Sequence, residues 1–521
     1  MNRAPAVPVS TVAVVVNPAD NVAVVKRQVD AGLTVRLDSG REVTLTGTVT
    51  PGHRFATADI PAGEFVRQYG QPIGTSRGIS AGDPITPANM SNDVPVVRDL
   101  PGELRTPPPA YLPEASRRRF LGFQRPDGRV GTRNYVLVVP TSMCASHESQ
   151  QIATIAEFTV YSRSRFPNVD GIVAIPHTRG CGCSDGSSVE VTMRMLANYA
   201  SHPNVGGVLF IGLGCEKTNL TLVERYLHDR HIDLAKPVVR FSIQEAGGTQ
   251  AVIERGVREV ETMLPHVNQI ERTPVPVSEL ILGVKCGGSD GFSGLSANPA
   301  LGAAADRLVR SGGTVIITEV PEFCGAEHIL AQRAKDRETG EAVYRMVDWY
   351  KEYAAKFGTN LNENPSPGNV AGGLLNITIK SLGAIAKAGT TRVEGVVGYA
   401  ERPGGRGLWL MQGPGYDQES TPGLVGAGAQ IVVFTTGRGT TIGNAIAPVV
   451  KLASNTPVFE RMSKDLDLSA GGIIDGTETI DEVGERVFDH VIRVASGEVL
   501  AKAEETKHRE FQIWAEQSVS L

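Results

Sequence analysis

Four short apolar runs rich in β-branched residues constrain the fold of this chain more than any other feature. They are YVLVVPTSMC (Tyr135 to Cys144), GIVAIPHTRGC (Gly171 to Cys181), GVLFIGLGC (Gly207 to Cys215) and LILGVKC (Leu280 to Cys286). Runs of this length without polar alternation suit strands buried on both faces of a parallel sheet. Parallel strands need crossovers, and segments of helical periodicity supply them: EVTMRMLANYASH (Glu190 to His202) and VERYLHDRHIDLA (Val223 to Ala235) each follow a cysteine-bearing loop. The alternation predicts right-handed βαβ units and an α/β fold. Every run ends on a cysteine, so the thiols fall where strands hand over to loops, the usual place for chemistry in such sheets.

A buried cysteine is often only a small hydrophobe. These four lie just past their apolar runs, among Gly, Arg, Glu, Ser and Asp, and as a set they point to a metal. No CxxC pair is present to indicate structural zinc, and six cysteines in 521 residues argue against a disulfide framework. The length implies two to four domains. A formal net charge of -5 with no long basic run disfavours nucleic acid and anionic membranes as partners. The N-terminus lacks signal-peptide features and no apolar stretch is long enough to span a bilayer, so a cytoplasmic protein with reduced thiols is expected. A homo-oligomer is the default assembly.

Three turn signals punctuate the N-terminal region: DAGLTV at Asp30, PAGEFV at Pro61 and SAGDPI at Ser80. Each sets glycine between strand-like segments, which predicts a small β domain over residues 1–98. Five prolines in PGELRTPPPAYLPE (Pro101 to Glu114) predict a semi-rigid linker over 99–118. An α/β domain over 119–272 and a second over 273–521 complete the division, with a break at ERTPVPV (Glu271 to Val277). In the last, Rossmann-like domain, strands are expected at Thr314 to Thr318, Val393 to Val397 and Ile431 to Phe434, and helices at Gly302 to Ser311 and Ile480 to Ala495.

Polar loops follow several of these strands. KCGGSDGFSG (Lys285 to Gly294) pairs glycines that expose backbone N–H groups with Ser289, Asp290 and Ser293, and Asn298 comes soon after. TTGRGTT (Thr435 to Thr441) offers Arg438, suited to a bidentate grip on a carboxylate or phosphate. NPSPGN presents the amides of Asn364 and Asn369, with Lys380 and Lys387 downstream on a helix. TEVPEF sets Glu319 and Glu322 at a strand end, where a carboxylate can act as a base or metal ligand. His177 precedes Cys181 by four residues. Neither a Walker A motif nor a convincing GxGxxG follows a first strand, which leaves nucleotide binding unsupported.

The order HTRGC, GLGCE, KCGGSDGFSGLSANP, TEVPE, ENPSPGN, GG, KSLG and FTTGRGT resembles the altronate and galactarate dehydratase family, and the N-terminal unit resembles the SAF-type β-clip domain that precedes it there. The resemblance implies a hydro-lyase, activated by ferrous iron, that converts a sugar acid to a 2-keto-3-deoxy acid. Iron is then expected near Cys181, Cys215 and Cys286, with Cys144 as a further candidate. Three thiolates would suit an iron–sulfur cluster, whereas a single ferrous ion would favour His177, Glu216 and Asp290. Arg438 would clamp a carboxylate, Glu319 and Lys380 would exchange protons, and Asp290 is a further catalytic candidate. Ser289, Asn298, Asn364 and Asn369 would contact substrate, as would Arg67 and Tyr69 from the SAF-type domain.

Departures from the family pattern bear on substrate. Histidines of altronate-type members are replaced here by Asn17 and by ITPAN (Ile85 to Asn89), and VDWY at Val347 looks galactarate-like, whereas GAEHIL at Gly325 and the HREF ending look altronate-like. A diacid is therefore expected to be preferred. A sulfolactate-type sulfo-lyase and a non-catalytic sugar-acid binding protein are the alternatives.

Overall fold

The computed structural model describes residues 5–183 and 185–514. Three of the four apolar runs form strands Tyr135–Pro140, Gly171–Ala174 and Val205–Gly212, joined by Val238–Ser242 in one parallel sheet. In space Tyr135–Pro140 lies between Gly171–Ala174 and Val205–Gly212, with Val238–Ser242 outermost. The two faces of this sheet have different partners. Val136, Val138, Leu209 and Ile211 pack under helices Ser146–Thr159 and Thr249–Val267. Leu137, Val139, Val208 and Phe210 face helix Ser187–Ala200, in a core that runs on to Leu424, Val432 and Phe434 of the last domain. This shared core packs the two α/β units together.

The fourth run, Ile281–Cys286, is the central strand of a seven-stranded, all-parallel sheet. Strands Thr314–Ile317, Gly407–Met411 and Val393–Val397 lie to one side of it; Ile431–Thr436, Val449–Ala453 and Leu468–Ser469 lie to the other. The winding thus reverses between Ile281–Cys286 and Ile431–Thr436. Loops leaving the carboxyl ends of those two strands diverge, and such a switch point is where α/β sheets bind ligands. Helices Ala297–Arg310 and Ile480–Ala495 pack against one another at this sheet. The latter starts where a capping box forms, with Thr479 accepting from the Glu482 N–H and the Glu482 carboxylate accepting from the Thr479 N–H. By contrast, helix Leu220–Asp229 begins before the expected Val223 because the Asn219 side chain accepts from the Leu222 N–H at 2.9 Å, and it stops short of Ala235 as His231 turns to φ 52°.

The N-terminal unit is built from three small three-stranded sheets. Gly32, Gly63 and Gly82, the glycines of the three turn signals, take φ of 86°, 87° and 93°, a region glycine enters without steric cost. This unit docks on the last domain through backbone. A Cβ on Gly291 or Gly373 would lie 2.2 Å from the Gly52 carbonyl oxygen. Buried Arg54 donates to the Gly373 carbonyl at 2.9 Å, and Val24 joins Phe292, Leu295 and Ile474 in a small apolar cluster across the contact. The proline-rich stretch also lies along the last domain: the Leu112 N–H donates to the Arg310 carbonyl at 2.7 Å, and Arg392 donates to the Thr106 carbonyl at 3.1 Å. Antiparallel strands Arg119–Gln124 and Arg272–Pro276 pair where the chain enters and leaves the middle domain. Among the described residues no helix is long and apolar enough to cross a membrane.

Candidate active site

The switch point of the larger sheet holds a continuous set of buried charges. Lys285, on the central strand, donates to the carboxylates of Glu319 and Asp417, the latter at 2.7 Å. Glu319 follows strand Thr314–Ile317 in a left-handed conformation (φ 76°, ψ 55°), which a residue with a side chain adopts at a cost of roughly 1–2 kcal/mol. That conformation coincides with bonds from Lys285, from the Cys286 N–H at 3.1 Å and from Lys387 at 2.9 Å. Lys387 also donates to the Cys286 Sγ at 3.1 Å, and the Cys286 thiol donates to Glu322 at 3.2 Å. Lys380 closes the series, donating to Glu322 at 2.8 Å and to the Asn364 Oδ1 at 2.8 Å.

These contacts set the protonation states. Burial alone would raise both glutamates, but Lys380, Lys387 and Lys285 hold Glu322 down at about 2. Glu319 moves the other way: burial and the charge of Glu322 raise it against the pull of Lys285 and Lys387. Burial and the two glutamates push the Cys286 thiol up to about 12. Burial works against Lys380, yet Glu322 and Cys286 keep its ammonium charged to higher pH than usual. At neutral pH the site thus pairs an ionised Glu322 with a protonated Lys380. Both line an open cavity of about 340 Å³, together with Cys286, Gly287, Gly288 and Asn364.

A second set of thiols lies at the carboxyl edge of the middle sheet. Cys144, Cys181 and Cys215 are all exposed, and each sits in the loop after one of three adjacent strands. Hydrogen bonds knit these loops. The Met143 N–H donates to the Arg179 carbonyl at 2.7 Å, the Lys217 N–H to the Cys181 Sγ at 3.4 Å, and the Gln244 amide to the Cys215 Sγ at 3.3 Å. His177 and Glu216 brace the loops. The His177 Nε2 donates to the Pro140 carbonyl while its Nδ1 accepts from the Arg179 N–H, which engages both ring nitrogens; burial lowers this imidazole to about 4 and keeps it neutral. Glu216 accepts from Thr141, Leu213 and Gly214.

The two thiol environments differ in their fitness for a metal. Cys286, Glu319 and Glu322 have ligand atoms within 4.8 Å of one another, the single such group among the described residues. Three ammoniums already occupy these donors, however, and with Asp417 the charges balance three against three. A cation added there would face Lys387 and Lys380 directly, so this group does not fit a metal. Among the described residues no ammonium bonds to the sulfurs of Cys144, Cys181 or Cys215, and the Lys217 backbone N–H and the Gln244 amide are aimed at two of them. Soft donors of this kind suit iron in a sulfur-rich setting.

Three family models cover the chain in order: an altronate/galactarate dehydratase SAF domain over residues 11–93, a D-galactarate dehydratase/altronate hydrolase second domain over 122–268, and a D-galactarate/altronate dehydratase C-terminal domain over 277–519. The chain is 35% identical to the altronate dehydratase of Bacillus subtilis (strain 168) over 93% of its length and 95% of that protein's. Against Escherichia coli (strain K12) it is 36% identical to the altronate dehydratase, over 92% of this chain and 94% of the other. To the galactarate dehydratase (L-threo-forming) of the same organism it is 37% identical, over 92% of each chain. The chain belongs to the altronate/galactarate dehydratase family. That membership makes it an enzyme of the hydro-lyase class.

Within this dehydratase, Glu319, Lys380, Asn364, Asn369 and Cys286 come together at one switch point. Glu319 is fully enclosed and does not line the cavity, so it reaches a substrate only through its lysines. The Asp290 carboxylate is already engaged, accepting from Phe292 and Ser293 of its own loop and from Ser454 and Asn455 after strand Val449–Ala453. Asn298 bridges the Thr435 hydroxyl at 2.5 Å and the Gly383 carbonyl at 2.9 Å. The hydroxyl of Ser289 is buried with no hydrogen-bond partner among the described residues. Arg438 is exposed on a separate cleft. Tyr69 packs on Gly294, whereas Arg67 lies over Phe65 and lines neither cavity. Cys286 sits with Glu322 and Lys387 rather than with the thiols of the middle sheet.

Lys285, Lys387, Glu322 and Asp417 complete the site. A lysine inside the apolar run LILGVKC is a sequence signal in itself, because a strand buried on both faces accommodates an ammonium only beside carboxylates. Asp417 carries no comparable signal. Its place beside Lys285 follows from the turn at Gly415, whose carbonyl also accepts from the Lys285 Nζ at 3.3 Å.

Proposed function

We propose that this enzyme removes water from an acyclic sugar acid of the altronate or galactarate class, giving a 2-keto-3-deoxy acid. The Glu322–Lys380 ion pair at the cavity wall carries this reading. Loss of water across C2 and C3 needs a base for the C2 proton and an acid for the departing C3 hydroxyl. Glu322 is ionised and Lys380 is protonated, the states those two roles require. A substrate carboxylate beside Lys380 competes with Glu322 for the ammonium, and its negative charge raises Glu322 toward a working base. Glu322 takes the C2 proton, Lys380 gives a proton to the leaving hydroxide, and the pair exchanges the proton back across its 2.8 Å contact. The enol left behind ketonises. Asn364, Asn369 and the Gly287–Gly288 backbone orient the acid and hydroxyl oxygens.

Iron is proposed at Cys144, Cys181 and Cys215, where the three exposed thiols and the N–H groups aimed at Cys181 and Cys215 support it. Bound there, it would supply Lewis-acid stabilisation of developing negative charge. The Cys181 loop and helix Asp417–Gly426 meet the same C-terminal segment, where Arg179 donates to the Ile513 carbonyl at 2.9 Å and Gln512 donates to Glu419 at 3.2 Å. Protein purified without oxygen is expected to lose iron by roughly tenfold or more on Cys181→Ser, at least what the loss of a supporting group costs a metal site. Equal iron and acid-labile sulfide in variant and wild type would remove Cys181 from the ligand set. The reaction itself is tested by offering hexonates and hexarates to iron-replete protein and trapping 2-keto acids. Absence of keto acid from every member of that panel would end the dehydratase assignment.

A further inference from the structure

Between the SAF-type domain and the seven-stranded sheet lies a second cleft, of about 590 Å³, separate from the Glu322–Lys380 cavity. Lys26 and Arg27 face it from the first domain, and Arg438 and Arg461 from the last. Arg27, Arg438 and Arg461 are exposed and Lys26 is half-buried. Among the described residues none of these four makes an ion pair or a side-chain hydrogen bond, whereas Arg307, Arg98 and Lys285 each bond to two carboxylates. Two carboxylates share the cleft and both accept hydrogen bonds: Asp290 from its own loop and from Ser454 and Asn455, and exposed Asp475 from the Thr456 hydroxyl at 2.5 Å. Four cations against two carboxylates leave this space with an excess of positive charge, which a bound anion would offset.

The walls of this cleft are fixed. Gly52 meets the backbones of Gly291, Gly372 and Gly373 at distances that leave no room for a Cβ, and the ring of His53 contacts the Ala371 carbonyl at 3.2 Å. The backbone that carries Lys26 and Arg27 is thereby held opposite that of Arg438 and Arg461 before any ligand arrives. A preset wall spacing spares the ligand the cost of bringing the two domains together, and only the side chains remain to be ordered on binding.

We infer that this cleft binds the carboxylates of a small acyclic diacid. Guanidinium groups from opposite walls match two carboxylates by paired N–H donors, which a single-headed acid cannot satisfy. The diacid is either the substrate itself, with its far end in the cleft, or a separate dicarboxylate effector. The first source rests on the proposed dehydratase reaction, and the binding does not.

Adipate, a six-carbon diacid with no hydroxyl to eliminate, and hexanoate, its single-headed counterpart, are the probes. Calorimetric titration of the full chain is expected to show adipate binding roughly tenfold or more tighter than hexanoate, and the same loss of adipate affinity in Arg27→Ala and in Arg461→Ala, as removal of a charged hydrogen bond entails. Both side chains are exposed, so neither change threatens the fold. Adipate binding no tighter than hexanoate, or unchanged in both variants, overturns the inference. With binding established, displacement of adipate by galactarate assigns the cleft to the substrate, and simultaneous binding of the two assigns it to an effector. Neither outcome depends on turnover, so failure of the dehydratase reading would show in the keto-acid assay alone.

Discussion

Lys380→Met is expected to lower kcat by roughly two to four orders of magnitude, the usual contribution of a positioned proton donor. Methionine fills nearly the same volume, so the helix Ile377–Ala384 that carries the residue should survive. The informative companion is Lys380→Arg. A guanidinium keeps the charge and can still bond to Glu322, but it does not release a proton at any working pH. If Lys380 only anchors an anion, arginine restores much of the rate; if it delivers the proton, arginine leaves kcat low while KM recovers. Wild-type kcat in the methionine variant would remove Lys380 from the reaction. Acid stability gives an independent reading. Glu322 ionises near 2 in the folded chain against 4.5 in the unfolded one, so its contribution is present above about pH 4.5 and is lost as pH falls toward 2. Removing Lys380, the strongest of the charges that oppose burial, should shrink that contribution and make the variant the more acid-labile protein.

The sequence made the sheets legible because strands buried on both faces write continuous apolar runs, and all four cysteine-terminated runs lie where such strands lie. Val393–Val397 and Ile480–Ala495 match their expected bounds, the second because Thr479 and Glu482 form a capping box that sequence alone can display. The grouping of side chains was less legible. Four runs ending alike suggest one shared ligand set, yet Cys286 belongs to a different sheet from Cys144, Cys181 and Cys215. Periodicity identifies strands and is silent on which sheet they join. The same limit hid the pairing of Lys285 with Glu319, residues 34 positions apart that meet only because strands Ile281–Cys286 and Thr314–Ile317 are neighbours. Arg67 and Arg27 show the converse: both are basic residues of one small β domain, and only the docking of Gly52 decides which of them faces a cleft.

Glu319→Gln should destabilise the last domain by about 3 to 5 kcal/mol, the range for breaking a buried ion pair from one side. Glutamine retains the shape and one acceptor oxygen, so the loss is chiefly of charge. Lys285 keeps Asp417 as a partner, whereas Lys387 is left with the neutral Cys286 thiol and an ammonium that has nowhere to reach water. Lys387 is therefore the residue that should report the change. The double variant Glu319→Gln with Lys387→Met is expected to recover part of the lost stability, because the second substitution removes the stranded charge, and such non-additivity is the signature of a direct pair. The pH dependence has a definite sign. Burial works against both lysines, yet Asp417 and Glu319 beside Lys285, and Cys286 and Glu319 beside Lys387, raise them above their ordinary 10.5, so their contribution is full below about pH 10.5 and is lost as pH rises past it. The deficit of Glu319→Gln relative to wild type should accordingly stay level from about pH 7 to 10 and narrow beyond. Thermal unfolding across that range tests both statements. A single variant as stable as wild type would show that the two ammoniums do not depend on Glu319, and the buried charge series would then be a chance arrangement around Glu322 and Lys380 rather than the frame that holds them.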